Sequence, residues 1–261
     1  IIYFIVLLIN INIKYFIRDA SVTFLDVGQG DSSVIILPFG KTILIDTGGL
    51  YLSRYNISKN KTVPYLNSLG ISKIDLLILT HGDYDHIGDT INLLNEIKVD
   101  EVLFNNDSFN DTENKIIKVL NKKNIRYSKN SEYFRKIKDL YFLNTKMYDN
   151  ENDNENDNST VVYFTYENFS FLFTGDASKE REEDIMKNYN IKDVSFLKVG
   201  HHGSKTSTGS SFIKKINPKY SIISVGENNR YGHPNNEALK NLANSKIYRT
   251  DLDGSIEIKL N

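Results

Sequence analysis

The 261-residue chain is predicted to fold as an α+β protein, with two β-sheets face to face and helices outside them. Three observations lead there. Short runs rich in Val, Ile and Phe recur from residue 20 onward, each bounded by Gly, Asn or Asp, which is the mark of strands separated by turns. Segments with helical apolar spacing follow blocks of such runs, so the helices are expected to cap paired sheets. No internal repeat or linker divides the chain, and its length suits one large domain with a substantial core.

In order, residues 21–25, 33–37 and 42–45 read as strands, punctuated by Gly28, Gly30, Gly40, Gly48 and Gly49. Residues 63–69 read as a short helix closed by Gly70, a common helix stop. The apolar run 74–79 is a strand, and 90–97 a helix with Ile91, Leu94 and Ile97 on one face. Residues 114–122 repeat that pattern through Ile116, Ile117, Val119 and Leu120. Strands at 140–144 and 161–166 flank an acidic repeat, and a strand at 169–173 ends at Thr174-Gly175-Asp176. Helix 180–189, strand 194–199, helix 209–216, strand 220–225, helix 235–244 and two closing strands complete the chain.

Composition excludes some functions and leaves others open. There is no cysteine, hence no disulfide and no thiolate ligand. A net charge of −1 gives no global pull toward nucleic acid or membrane. The charge is uneven, with five acidic residues and no basic one at 148–158, and six lysines against Asp193 at 192–219. The acidic repeat lacks the Gly and closing Glu of an EF-hand, so a solvated, disordered insertion is expected near 148–158. Residues 1–9 are uninterrupted Ile, Tyr, Phe, Val and Leu, after which Asn10, Asn12, Lys14 and Arg18 intervene. A complete span needs about 20 apolar residues. Residues 1–18 are therefore expected to be the end of a membrane helix, with an apolar element packed on domain 19–261 as the alternative.

The chemistry concentrates in Thr80-His81-Gly82-Asp83-Tyr84-Asp85-His86-Ile87-Gly88, which carries two of the five histidines. His-x-Asp-x-Asp-His at a strand end can serve two adjacent cations, His81 and Asp83 turned one way and Asp85 and His86 the other. Imidazole suits zinc, and carboxylates also accept manganese. Asp176 ends another strand; it could bridge two cations or merely cap the following helix. In Val199-Gly200-His201-His202-Gly203-Ser204-Lys205, one histidine would complete the second ion's ligands with Asp85, His86 and Asp176 while the other faces the substrate. Ser204 and Lys205 suit a phosphate oxygen. In Arg230-Tyr231-Gly232-His233-Pro234, His233 near a helix start could hold an anion or protonate a leaving oxygen. Asp26-Val27-Gly28-Gln29-Gly30-Asp31 lacks the ending of a P-loop; Asp26 or Asp46 could accept a proton from a ligating imidazole, or both could be turn residues.

Taken in order, these motifs resemble the metallo-β-lactamase superfamily, and within it the hydrolase domain of ComEC/Rec2-type competence proteins. The matching stretches are residues 24–31, 44–48, 79–88, 173–176, 198–204 and 231–234. The resemblance implies a four-layer αββα sandwich with two divalent metal ions, zinc or manganese, at one sheet edge. The ligands would be His81, Asp83, Asp85, His86, Asp176 and His202. Asp85, His201, Lys205 and His233 would act in catalysis, and Asp26, Gln29, Asp31, Asp46, Asn158, Ser159 and Ser204 would support the site or face the substrate. Two departures stand out. Asp83 occupies the place of a second histidine, and no histidine lies between His86 and His201, so a carboxylate, Asn158 or water must fill a ligand place. The implied function is a phosphodiesterase or nuclease acting on DNA in uptake, outside a bacterial membrane and attached to a channel protein. A hydrolase of a small phosphodiester or lactone, and a non-catalytic metal-stabilised DNA-binding module, are the alternatives.

Overall fold

A computed structural model describes Tyr3 and residues 19–51, 55–105, 108–133, 137–144 and 155–260. Along the first half lie β1 (Ser21–Phe24), β2 (Ser33–Ile36), β3 (Thr42–Ile45), α1 (Val63–Ser68), β4 (Lys73–Ile74), β5 (Leu76–Ile78) and α2 (Tyr84–Ile87). Then come α3 (Thr90–Glu96), β6 (Lys98–Val99), β7 (Glu101–Phe104), α4 (Asp111–Lys123) and β8 (Arg126–Lys129). The second half holds β9 (Leu140–Phe142), β10 (Val162–Tyr166), β11 (Phe169–Phe173), α5 (Lys179–Asn188), β12 (Phe196–Lys198) and α6 (Ser210–Ile216). It closes with β13 (Tyr220–Ile223), α7 (Asn236–Asn241), β14 (Lys246–Arg249), α8 (Thr250–Asp253) and β15 (Ile256–Lys259).

One sheet has the order β15-β1-β2-β3-β5-β7-β8 and the other β14-β13-β12-β11-β10-β9. Each is antiparallel on one flank and parallel on the other, the parallel strands being joined through helices. Side chains alternate across each strand, so both sheets are apolar on two faces. Val22, Phe24, Ile43, Ile45 and Ile78 meet Phe164, Phe171, Phe173, Phe196 and Ile222 between the sheets. Leu44, Leu77 and Val102 pack outward on Leu66, Leu93, Ile116 and Leu120. Leu172, Leu197 and Ile223 pack on Ile185, Phe212, Ile216 and Leu242. The result is the expected αββα sandwich.

Helix boundaries follow local chemistry. Asn110 opens α4 with a capping box, its side chain accepting from Thr112 N and Glu113 N while Glu113 reaches back to Asn110 N. Ser178 caps α5, which frees Asp176 of the capping role that competed with its ligand role. Strands β6, β7 and β8 were not legible from the pattern, and β15 crosses to pair with β1 rather than extending the second sheet.

Residues 1–18, apart from Tyr3, lie outside the described residues, as does 145–154 of the acidic stretch. Its last part, Glu155–Asn158, is not a solvated insertion: it forms a 3-10 turn with Asp157 and Asn158 buried, tied in where the Asn158 carbonyl accepts from Asn105 Nδ2 at 3.4 Å. Among the described residues no helix is long and apolar enough to cross a membrane.

Candidate metal centre

Every predicted ligand follows a strand at the same edge of the two sheets, Asp85 and His86 within the short helix α2 and the others on the connecting segments. Asp46 follows β3, residues 79–83 follow β5, Asp176 follows β11, and residues 199–205 follow β12. The parallel strands bring their ends together, so ligands distant in sequence converge. Tight backbone contacts fix the loops. A Cβ on Gly49 would lie 1.9 Å from the Tyr84 carbonyl, and one on Gly30 2.3 Å from that of Asp85, so only glycine permits these approaches. His201 and His202 both take positive φ, +47° and +53°, a strained pair that folds the histidines back over Asp176.

Three imidazoles present Nε2 inward because their other nitrogens are engaged. His86 Nδ1 lies 2.7 Å from Asp46 Oδ2, His202 Nδ1 2.8 Å from the Ser224 carbonyl, and His81 Nδ1 3.1 Å from Thr80 Oγ1. A carboxylate or carbonyl can only accept, so the proton sits on Nδ1 of His86 and His202, and Nε2 is left as the ligand atom. His86 Nε2 lies 3.1 Å from Asp176 Oδ1, and His202 Nε2 3.1 Å from Asp85 Oδ2. His81 Nε2 stands 3.5 Å from Asp83 Oδ2.

The donor set fits divalent cations. The groups His81-His86-Asp176 and Asp85-His86-His202 each place their ligand atoms within 4.8 Å of one another. His81 Nε2, His86 Nε2 and Asp176 Oδ1 are buried without a well-aligned hydrogen bond, their close contacts being to fellow members of the cluster, a costly arrangement unless a cation satisfies them. Mixed imidazole and carboxylate donors without sulfur suit zinc or manganese.

Electrostatics agree with the geometry. Burial disfavours ionised Asp85 and Asp176, yet the His86 and His202 charges outweigh it and hold both carboxyls below the usual range, Asp176 far below. Burial likewise opposes protonation of His86 and His202, but Asp176 and Asp31 overcome it and raise both. His201 and His233 go the other way, lowered by burial and by neighbouring imidazoles. They are also less enclosed, with rings 5.8 Å apart, and His201 Nε2 is 3.7 Å from Asp176 Oδ2. His202 is thus the histidine buried within the candidate cluster, and His201 the one toward solvent.

The supporting residues divide differently from expectation. Asp46 takes the imidazole-accepting role, also receiving Thr80 N at 2.8 Å and Thr80 Oγ1 at 2.7 Å. Asp26 does not: it pairs with Lys61 at 3.1 Å and accepts from Gly28 N, because its loop turns away after β1. Gln29 Oε1 accepts from Gly226 N, joining the two halves at this edge. Ser159 Oγ accepts from Asp176 N at 3.2 Å, and Asn158 is buried beside it. Ser204 is turned to Thr206 Oγ1 at 3.0 Å; Lys205 is exposed. The lysine-rich stretch is not one surface. Lys198 is 3% exposed and ion-paired with buried Asp31, and Lys215 donates to the Met186 carbonyl. Lys198, Thr80 and Ser224 were missed; the one available signal was a lysine inside the apolar run 194–199.

Comparison with known proteins places this arrangement. The family model described as "Metallo-beta-lactamase superfamily" matches residues 25–147 and 151–227. "ComE operon protein 3" of Bacillus subtilis is 34% identical over 258 residues, covering 92% of this chain and 33% of the relative. "Competence protein ComA" of Neisseria gonorrhoeae is 29% identical, covering 93% and 33%. "Recombination protein 2" of Haemophilus influenzae is 28% identical, covering 90% and 28%. The chain therefore spans about a third of the length of the curated relatives it matches. Among solved structures, the metallo-beta-lactamase fold protein YhfI of Bacillus subtilis superposes with a TM-score of 0.61 at 11% identity, over 92% of this chain and all of that one. The diiron β-hydroxylase CmlA of Streptomyces venezuelae gives 0.59 at 12% identity, over 93% and 54%. With the fold, the ordered motifs and the family model in agreement, the chain belongs to the metallo-β-lactamase superfamily, with competence proteins among its relatives.

Proposed function

We propose that this domain is a metal-dependent phosphodiesterase that cleaves DNA in competence-type uptake, at the outer face of a bacterial membrane beside the channel portion of a longer protein. The observation that carries the reading is the convergence of the buried ligand atoms of His81, His86 and Asp176, none of which makes a well-aligned hydrogen bond. His81, Asp83 and Asp176 would hold one ion, and Asp85, His86, His202 and Asp176 the other. Bound there, the ions would bring the pKa of a coordinated water toward 7 and offset phosphoryl charge. The chain's own groups do the rest. Asp46 and Ser224 keep the Nδ1 protons of His86 and His202 in place. His201 and His233, neutral near pH 7 because burial lowers them, can donate N–H to a phosphate oxygen and to the departing oxygen. Lys205, exposed beside them, can attract the backbone.

DNA as substrate is supported by the competence and recombination names of the relatives. The test is hydrolysis of an oligonucleotide and of a small chromogenic diester by chelator-treated protein resupplied with Mn²⁺ or Zn²⁺. Restored cleavage of the oligonucleotide, lost with metal content in Asp176→Ala, is the expected result. Metal-loaded protein that binds DNA but cleaves neither substrate would make this a binding module. Cleavage of the small diester alone would select a small-molecule hydrolase.

A further inference from the structure

Eight large apolar or aromatic side chains are exposed among the described residues, and Tyr51, Tyr84 and Tyr231 belong to the loops at the metal edge. Tyr84 stands in the chain between Asp83 and Asp85, at the start of α2 after β5 of the first sheet. Its ring rests on Gly88: a Cβ there would lie 2.6 Å from both Cδ1 and Cε1. Tyr51 meets it edge-on, centroids 5.6 Å apart at 89°. From the second sheet, Tyr231 is 57% exposed and stacks on His233 at 5.9 Å and 15°. The Arg230 guanidinium lies 5.3 Å from the Tyr231 ring centroid, and His233 in turn contacts His201. Tyr84 and Tyr231 are thus a single residue and a single ring contact, respectively, away from predicted catalytic groups.

The buried phenylalanines pack in the core between or outside the sheets; these three tyrosines do not. Water-exposed tyrosines beside a charged cluster offer π-faces, and nucleobases stack on such faces whatever their sequence, with an adjacent Arg adding to the attraction. Paired bases hide their faces, so the surface suits unpaired strands. Resting on the phosphodiesterase reading above, we infer that Tyr84 and Tyr231 are base-stacking specificity residues that hold unpaired nucleotides of a DNA strand on either side of the bond to be cut.

The experiment separates bases from phosphates. Metal-free full chain is titrated with a fluorescent oligo-dT strand and with an abasic strand of the same length, at the same salt. Wild type should prefer the based strand, and each of Tyr84→Leu and Tyr231→Leu should cut the ratio of the two affinities by about tenfold. Leucine keeps the apolar bulk, and Tyr231→Phe should restore the ratio because it keeps the ring. Equal wild-type affinity for both strands, or leucine variants with an unchanged ratio, would overturn the inference. A failed phosphodiesterase reading shows separately, as absent cleavage by metal-loaded wild type even where the base preference is present.

Discussion

Asp46→Asn tests the geometry at its least conspicuous point. Asp46 is 1% exposed, has φ of +58°, and accepts three hydrogen bonds, from Thr80 N, Thr80 Oγ1 and His86 Nδ1. Asparagine has the same shape and tolerates the left-handed backbone, so the fold should be retained. Its oxygen can keep the bond from Thr80 N, but its amide group then replaces the oxygen that faces His86. Two N–H donors would oppose each other there. The imidazole escapes by moving its proton to Nε2, which is the atom the metal needs. Loss of such a partner costs about 10–100-fold in metal affinity, or about 1.4–2.7 kcal/mol. Chelator competition with zinc reads the dissociation constant, and circular dichroism checks the fold. A folded Asp46→Asn protein binding zinc within twofold of wild type would refute the claim that Asp46 sets the His86 tautomer.

Lys198→Met should cost about 3–5 kcal/mol in urea unfolding, because it strands buried Asp31; Lys198→Met with Asp31→Leu should regain much of that loss, and no recovery would show that the pair acts through something other than mutual charge. Glu182 is buried, and that burial raises its carboxyl from 4.5 to about 7 against the opposing backbone bonds from Gly209 and Thr208. A carboxyl raised in the folded state stabilises the fold below pH 4.5 relative to higher pH, so its contribution should fall by about 3 kcal/mol as pH rises from 4.5 to 7. Glu182→Gln should flatten that part of the urea-stability profile. DNA cleavage should weaken steeply with salt, and Lys205→Ala with Lys214→Ala should raise the apparent KM for DNA; salt-independent turnover that ignores the double substitution would point to a small substrate.

The histidine-aspartate motif was legible because histidine is rare elsewhere in the chain and two of its five copies cluster with aspartates at a strand end. The sheets were legible where apolar runs are long, as in residues 169–173 and 194–199. Strands β6 and β8 escaped because they are short and partly exposed, with burial too weak to impose an apolar pattern. Asp26 and Asp46 could not be told apart: each follows a strand and precedes a glycine by two positions. What separates them is sheet order, since β3 lies beside β5 and delivers Asp46 to the motif, whereas β1 lies two strands further away. Lys198 looked like part of a basic surface because charge is visible in a sequence and burial is not.

The ligands are shared unequally between the two halves of the sandwich: His81, Asp83, Asp85 and His86 come early in the chain, Asp176 and His202 late. A ribosome therefore releases four candidate donors long before the Asp176 carboxylate exists. An emerging chain can hold an ion only loosely, and firm capture must wait until both sheets have docked through their phenylalanine-rich faces. Metal uptake would in this sense be a checkpoint on assembly. Free ion at a hundredfold excess over its dissociation constant would add about 2.7 kcal/mol to the finished fold, so the same atoms that prepare the chemistry act as a clasp between the halves.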